Sequence, residues 1–377
     1  MKFECDRKAF SDALRIVGRA ATEKPDIQFR GIHLKLAGDG ARLEAEATSG
    51  EISIAATVPT VYPEELGEVL IPGGILQEII GRVDGGELSF RHDAAGGLAH
   101  IASGKARFSI HAQGAENYPS VPCVTDDTVG LDIDGDALST MVRKTAFAAS
   151  KDDARPVFTG CHFAIRDGRA TMAATNGHRL AIMECDLSSR RDMQGLILPA
   201  AALQEAVRIL KSDIGARPYL FQVKSTAGVS RIGFDFGDVR MTSRLIAGQF
   251  PDVGRVIPKA IKTTATMRRE EFTEALERVS IIAKSADYHV VRLEFASEQV
   301  RLASTNSEVG NAEETIRASV SGEDMQIAFN VHYLIEALKI LDGEKFTMEM
   351  GGSLTPCKIT DDDPGFLYVV TPVRTSS

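Results

Sequence analysis

Hydrophobic spacing switches repeatedly between two periods along this chain. Residues 107–112 alternate, Phe108, Ile110 and Ala112 against Arg107, Ser109 and His111, which is the period-two pattern of an antiparallel strand with one buried face. Residues 10–21, 138–150 and 272–284 instead carry apolar side chains at helical spacing. Each of these helices leads into a strand-like run: 29–34, 158–163 and 290–295, the first two aligning without gaps. A turn follows each time, at Gly38-Asp39-Gly40, Asp167-Gly168 and Ser297-Glu298. Then the plan repeats, with short strands at 69–72, 196–199 and 327–330 running into helices at 75–82, 201–211 and 333–341.

Corresponding landmarks (Pro72, Pro199 and Asn330) stand 127 and 131 residues apart. That period is too long for a solenoid and fits a domain of about 100–150 residues. The pattern therefore predicts an α+β chain of three similar domains, 1–122, 123–252 and 253–377, each made of two helix-plus-antiparallel-sheet halves. Connections are expected near Tyr118-Pro119-Ser120-Val121-Pro122 and Phe250-Pro251-Asp252. One face of each helix covers a sheet, and the other is left for something else.

With 44% apolar and 25% charged residues in 377, the chain is ordinary for a folded soluble protein. No uncharged apolar run reaches the ~18 residues of a membrane span, and the first residues lack the apolar core of a secretory signal. Five cysteines, Cys5, Cys123, Cys161, Cys185 and Cys357, are odd in number and widely spaced, which fits neither a disulfide framework nor a metal site and suggests a reducing cytoplasm. The net charge of −9 argues against a general nucleic-acid coat, and the absence of Trp with 6% aromatic residues argues against base stacking. Cations nevertheless gather locally. Residues 138–151 carry Arg143, Lys144 and Lys151 and no acid, and residues 7–24 carry Arg7, Lys8, Arg15, Arg19 and Lys24 against Asp12 and Glu23. Charge alone leaves two readings: solvated helix faces laced with local ion pairs, or several basic faces turned towards one polyanion.

Signatures of catalysis do not assemble. His178, beside Asn176 and Arg179, is more simply a rim histidine than a general base. Asp132-Ile133-Asp134-Gly135-Asp136 resembles a calcium loop but has Ala137 at the sixth position and Arg143 at the twelfth. Asp361-Asp362-Asp363-Pro364-Gly365 reads as a solvated turn rather than a divalent-ion site. The histidines have no ligand spacing, so neither a metal nor a cofactor is expected.

Ala174-Thr175-Asn176-Gly177-His178-Arg179-Leu180-Ala181 is the most telling string, joined by Phe250-Pro251-Asp252, Arg255-Val256-Ile257-Pro258-Lys259, Phe329-Asn330-Val331 with Tyr333-Leu334, Ser103-Gly104-Lys105-Ala106-Arg107-Phe108 and the ending Tyr368-Val369-Val370-Thr371-Pro372-Val373-Arg374. In this order, across the whole chain, they resemble the bacterial DNA polymerase III beta-subunit family of replicative sliding clamps. The resemblance implies a head-to-tail homodimer closing a ring of six domains around double-stranded DNA, with helices lining the hole. It also implies the polymerase III alpha subunit, the clamp loader and other clamp-motif proteins as partners, with no active site and no membrane. Persistence on DNA would come from encirclement, so weak phosphate contacts without base readout suffice.

By that resemblance, Arg15, Arg19, Lys24, Arg143, Lys144, Lys151, Arg155 and Arg208 face DNA, with Arg7 and Lys8 beside them. The segment from Asp152 departs from the family's Gln and Arg-Tyr-Tyr, reading Arg155-Pro156-Val157 here. A groove for client peptides carries over to Phe158, Thr175, Gly177, His178, Arg179 and Leu180, then Pro251, Arg255 and Val256. Asn330, Tyr333, Leu354 and Pro356 extend it, and Val369, Val370, Thr371, Pro372, Val373 and Arg374 complete it. Thr371 and Val373 stand where the family ending has methionines, trading adaptable thioethers for stiffer side chains. The ring joint carries over to Lys105, Phe108 and Ile110 against Ile281 and Ile282 of the second copy. A divergent second-copy clamp, or an enzyme using His178 with the acidic turn, are the alternatives, and only a clamp distinguishes circular from linear DNA.

Overall fold

The computed structural model describes residues 1–21, 30–116, 118–119, 121–122, 130–187, 191–211, 218–225, 228–283 and 289–374. They form six helices: α1 (Arg7–Val17), α2 (Gly73–Arg82), α3 (Gly135–Thr145), α4 (Ala200–Leu210), α5 (Arg269–Ala283) and α6 (Val331–Leu338). Two helices fall in each third of the chain, as the repeat predicts. Helix phase follows the apolar spacing closely. In α1, Phe10, Ala13, Leu14 and Val17 are buried, and Asp6 caps the helix by accepting from the Ala9 amide at 2.7 Å. In α5, Phe272, Ala275, Leu276, Val279 and Ala283 form the same kind of stripe.

The chain divides into two compact units, Met1–Gly135 with Glu205–Leu245 and Asp136–Gln204 with Ile246–Ser377. The first unit holds a 12-stranded antiparallel sheet. Its 14-residue strand Ile52–Glu65 is long enough to pair with Lys2–Asp6 at one end (Glu4 opposite Val61) and Val239–Arg244 at the other (Ala56 opposite Val239). One edge of this sheet is Ala106–His111. The alternation there does give a strand, but its apolar side is not covered: Phe108 is 36% exposed and Ile110 half-buried.

The second unit holds a nine-stranded sheet and a four-stranded sheet. In the larger sheet Arg169–Thr175 pairs with Arg179–Asp186, which pairs with Phe366–Val370, which pairs with Cys357–Thr360. The run expected to start at Phe158 begins as a strand only at Gly160, because Pro156 opens a tight 3₁₀ turn over Pro156–Thr159. The Phe250-Pro251-Asp252 connection is not a bare linker. Phe250 packs on the core formed by Ala173, Leu180 and Val369, and Asp252 caps the turn Val253–Arg255.

Two expectations about charge are corrected in this unit. Lys144 does not face DNA: its side chain is 0% exposed, and its Nζ lies 2.9 Å from Asp342, 3.1 Å from Asp361 and 3.1 Å from Asp363. Correspondingly, the turn at Asp361–Gly365 is not simply solvated, since the Asp361 side chain is also fully buried. A buried ammonium and a buried carboxylate are tolerable only together.

Candidate functional site

The hairpin between Arg169–Thr175 and Arg179–Asp186 is built by its own side chains. Asn176 Oδ1 accepts from the His178 and Arg179 amides at 2.9 and 3.1 Å, and Thr175 Oγ1 accepts from the Gly177 amide at 3.0 Å while donating to the Arg179 carbonyl at 2.6 Å. Gly177 sits at φ +91°, a backbone region that suits glycine. The turn thereby holds His178 out while Arg179 points in, 6% exposed. Thr371 fixes this arrangement from the other side, since its amide and its hydroxyl both donate to the His178 carbonyl at 2.9 Å. A methionine at that position could supply only the amide bond.

Arg179 is the polar centre of the site. Its guanidinium pairs with Glu336 of α6, donates to the Phe147 carbonyl, and lies over the rings of Phe147 (5.4 Å) and Tyr333 (4.9 Å). Its Nε is buried with no acceptor among the described residues, and the guanidinium also meets the Tyr368 hydroxyl. Tyr368 supports the same cluster, stacking on Phe147 at 5.7 Å and donating to the Tyr333 carbonyl at 2.9 Å; burial pushes its phenol well above the ordinary range. His178 stacks on Tyr333 with centroids 6.4 Å apart.

Beside this cluster opens a cavity of about 160 Å³ with a largely apolar lining. Its walls include the expected Phe158, Thr175, Gly177, His178, Arg179, Leu180, Pro251, Val256, Val369 and Thr371. Asp252 and Val253 also line it and were not expected. The signal for them was the capped turn, which puts Val253 and Val256 three residues apart on one side. Other expected residues stand outside the lining. Tyr333 accepts from Asn176 Nδ2 at 3.4 Å, Asn330 caps α6 by accepting from the His332 amide, and Arg255 is paired with Asp252 at 2.9 Å. Val370 is buried opposite Arg179, and the Val373 amide donates to Ala328. Leu354 and Arg374 are exposed, and Pro356 and Pro372 are half-buried.

The expected DNA-facing cations are mostly committed locally. Arg15 pairs with Asp12 at 3.5 Å, Arg19 and Arg208 share Glu205 at 2.9 and 3.2 Å, and Arg143 pairs with Asp342 at 2.9 Å. Arg7 donates to the Gly85 and Ile80 carbonyls. Arg155 lies at 5.2 Å over the ring of Phe158, itself a lining residue of the cavity. Lys8 and Lys151 are exposed, and Lys24 lies outside the described residues. Of the expected joint residues, Lys105, Phe108 and Ile110 belong to or flank the edge strand Ala106–His111 in the first unit. In the second unit Ile281 is 68% exposed on α5 and Ile282 is half-buried.

Known proteins match the whole chain. Family models described as the DNA polymerase III beta subunit N-terminal, central and C-terminal domains match residues 1–122, 132–252 and 254–374. A beta sliding clamp of Staphylococcus epidermidis is 29% identical over 338 residues, covering 87% of each chain, and one of Synechocystis is 29% identical over 394 residues, covering 99% of each. The crystal structure of the Bacillus subtilis DNA polymerase sliding clamp superposes with a TM-score of 0.90 at 25% identity, covering 100% of both chains. That of the beta subunit from DNA polymerase of Streptococcus pyogenes gives 0.91 at 25% identity, again over 100% of both.

Proposed function

The chain belongs to the bacterial DNA polymerase III beta-subunit family, and from that premise we propose that two copies close head to tail around duplex DNA and hold client proteins through the cavity between Leu180 and Val256. It is a DNA sliding clamp of the replicative polymerase, built of three clamp domains. Clamps of this family are processivity factors rather than catalysts. Among the described residues no helix is long and apolar enough to cross a membrane.

The cavity is the observation that carries the client-binding reading. Its floor of Leu180 and Val369 and its rim of Val253 and Val256 offer apolar burial, while His178 and Arg179 add polar groups to the lining. A peptide with a large apolar side chain beside an exposed carbonyl or carboxylate satisfies both. Val256 is well exposed at the cavity rim, so Val256→Glu alters the rim without cutting into the core. A fluorescein-labelled peptide from the clamp-binding segment of the cognate polymerase alpha subunit should bind wild type and lose at least tenfold in affinity to Val256→Glu. Equal affinity for both proteins would refute the groove.

Ring closure draws support from the uncovered edge strand with Phe108 and the exposed Ile281 on α5. An open strand edge is a template for pairing, and closing it against a second copy removes that exposure. Loaded protein should stay on nicked circular DNA and leave once the circle is cut. Retention on the linearised molecule would overturn encirclement.

A further inference from the structure

Lys144 is held more firmly than any DNA-facing cation needs to be. It sits near the end of α3, and its ammonium meets carboxylates from two other places: Asp342, beyond α6, and Asp361 and Asp363, in the turn between Cys357–Thr360 and Phe366–Val370. The carboxylates are themselves organised. Asp361 accepts from the Asp342 amide at 2.7 Å and the Asp363 amide at 3.0 Å, and Asp363 accepts from the Gly365 amide at 2.9 Å. Phe366 lies 4.7 Å beneath the ammonium. Arg143 adds a second cation on Asp342.

A single strand joins this clasp to the groove. Strand Phe366–Val370 starts at the clasp and ends at the cavity, where Val369 forms floor and Thr371 ties down His178. Three residues beyond Lys144, Phe147 stacks on Tyr368 of that strand and receives the Arg179 hydrogen bond. Lys144 and Asp361 are fully buried while Asp342 is half exposed; such an ion cluster is a poor source of stability, because well-packed apolar side chains of similar volume do as well, which leaves relative position as what it can specify. We propose that Lys144 is a positioning residue for the client groove: clasped by Asp342, Asp361 and Asp363, it sets where strand Phe366–Val370 stands and hence how the cavity at Val369 is shaped. This inference rests on the groove being the peptide site.

The test uses the full-length protein and the labelled alpha-subunit peptide. Lys144→Met, which keeps the volume and removes the charge, should bind the peptide at least tenfold more weakly. Lys144→Ala leaves three carboxylates facing an open space that a divalent cation can fill. Millimolar calcium should therefore restore its affinity to within threefold of wild type and leave wild type unchanged, a response that general loosening of the fold would not give. Lys144→Met within twofold of wild type, or Lys144→Ala indifferent to calcium, overturns the proposal. Should both fail to fold, Asp363→Asn removes one arm of the clasp; about threefold weaker binding is expected, and unchanged affinity overturns the role. If wild type itself does not bind the peptide, the groove reading is what has failed. The clasp is then read by amide hydrogen exchange. Residues 366–371 should exchange at least tenfold faster in Lys144→Met while strand Arg169–Thr175 stays as in wild type, and equal rates at 366–371 refute it.

Discussion

Replacing Arg179 by lysine keeps one positive charge and tests what the guanidinium does beyond carrying it. In the free protein the change removes one of two hydrogen-bonded arms, those to Glu336 and the Phe147 carbonyl, and the planar contact with Phe147 and Tyr333. An unsatisfied carbonyl costs about 1–3 kcal/mol, and the lost ring contacts about 1 kcal/mol. Against this, the substitution deletes the buried Nε donor that has no acceptor among the described residues, recovering about 1–2 kcal/mol. The free protein should therefore lose only about 1–2 kcal/mol, a small fall in the urea midpoint. The bound state is different. If binding uncovers Nε, which the free protein closes off from solvent, and the peptide supplies an acceptor, the lysine variant forfeits a charged hydrogen bond of about 1.5–3 kcal/mol on binding, which is about 10- to 150-fold in Kd. Fluorescence polarisation with the alpha-subunit peptide measures this, with urea denaturation of the same preparation as control. An Arg179→Lys protein that folds and binds within twofold of wild type would show that the orphaned donor is not a ligand contact.

Three further outcomes follow from the same geometry. In the proposed ring Ile281→Asp puts a carboxylate into each of two joints; at about 2–3 kcal/mol per joint sedimentation should show monomer at concentrations where wild type is dimeric, while peptide affinity is unchanged. Lys151→Glu should shorten residence on nicked circular DNA and flatten its salt dependence by about one unit of slope, whereas Arg15→Glu, whose native charge already faces Asp12, should do less. The clasp gives a pH window. Hydrogen bonding from Arg143, and then from Lys144, holds the Asp342 carboxyl below its ordinary range, so its stabilisation is present above about pH 4 and is lost as pH falls through the lower folded value. Burial pulls the Lys144 ammonium down, but hydrogen bonds to Asp342 and Asp363 and the charge of Asp361 outweigh this and raise it. Its contribution is thus full below about pH 10 and is lost above. Protection of the 366–371 amides should be level from pH 5 to 9, and Arg143→Met should move its acid edge upward; an unmoved edge refutes the assignment to Asp342.

Helix phase was legible in the sequence because it is local: Phe10, Ala13, Leu14 and Val17 face inward for the reason that 3.6 residues make a turn. Strand alternation was equally legible in 107–112, but alternation states only that one face differs from the other, not that the chain itself covers it, and Phe108 remains open. The string from Ala174 to Ala181 stood out for its resemblance and not as a turn, although its Asn, Gly and Thr organise the hairpin backbone within five residues. Asp252 and Val253 were missed because an Asp after proline reads as connection until the turn it caps is seen. Lys144 was misread for a different reason. Its partner Asp361 stands 217 residues away, and no local pattern distinguishes a lysine bound for solvent from one bound for a distant carboxylate.

That misreading bears on how an acidic chain works on DNA. Half of the ten cations expected to face DNA are answered by carboxylates: Arg19 and Arg208 by Glu205, Arg143 and Lys144 by Asp342, Arg15 by Asp12. Such pairing suppresses the local potential that tight phosphate binding requires. For a protein that held DNA by affinity this would be a defect. For one that encircles DNA it is an advantage, because every strong phosphate contact would have to break for the ring to move by one base pair. A net charge of −9 and internally compensated helices are therefore compatible with sliding, provided the ring stays closed. The burden then passes from electrostatics to the joint proposed at Phe108 and Ile281, whose loss should release the protein from circular DNA more completely than the loss of any single cation.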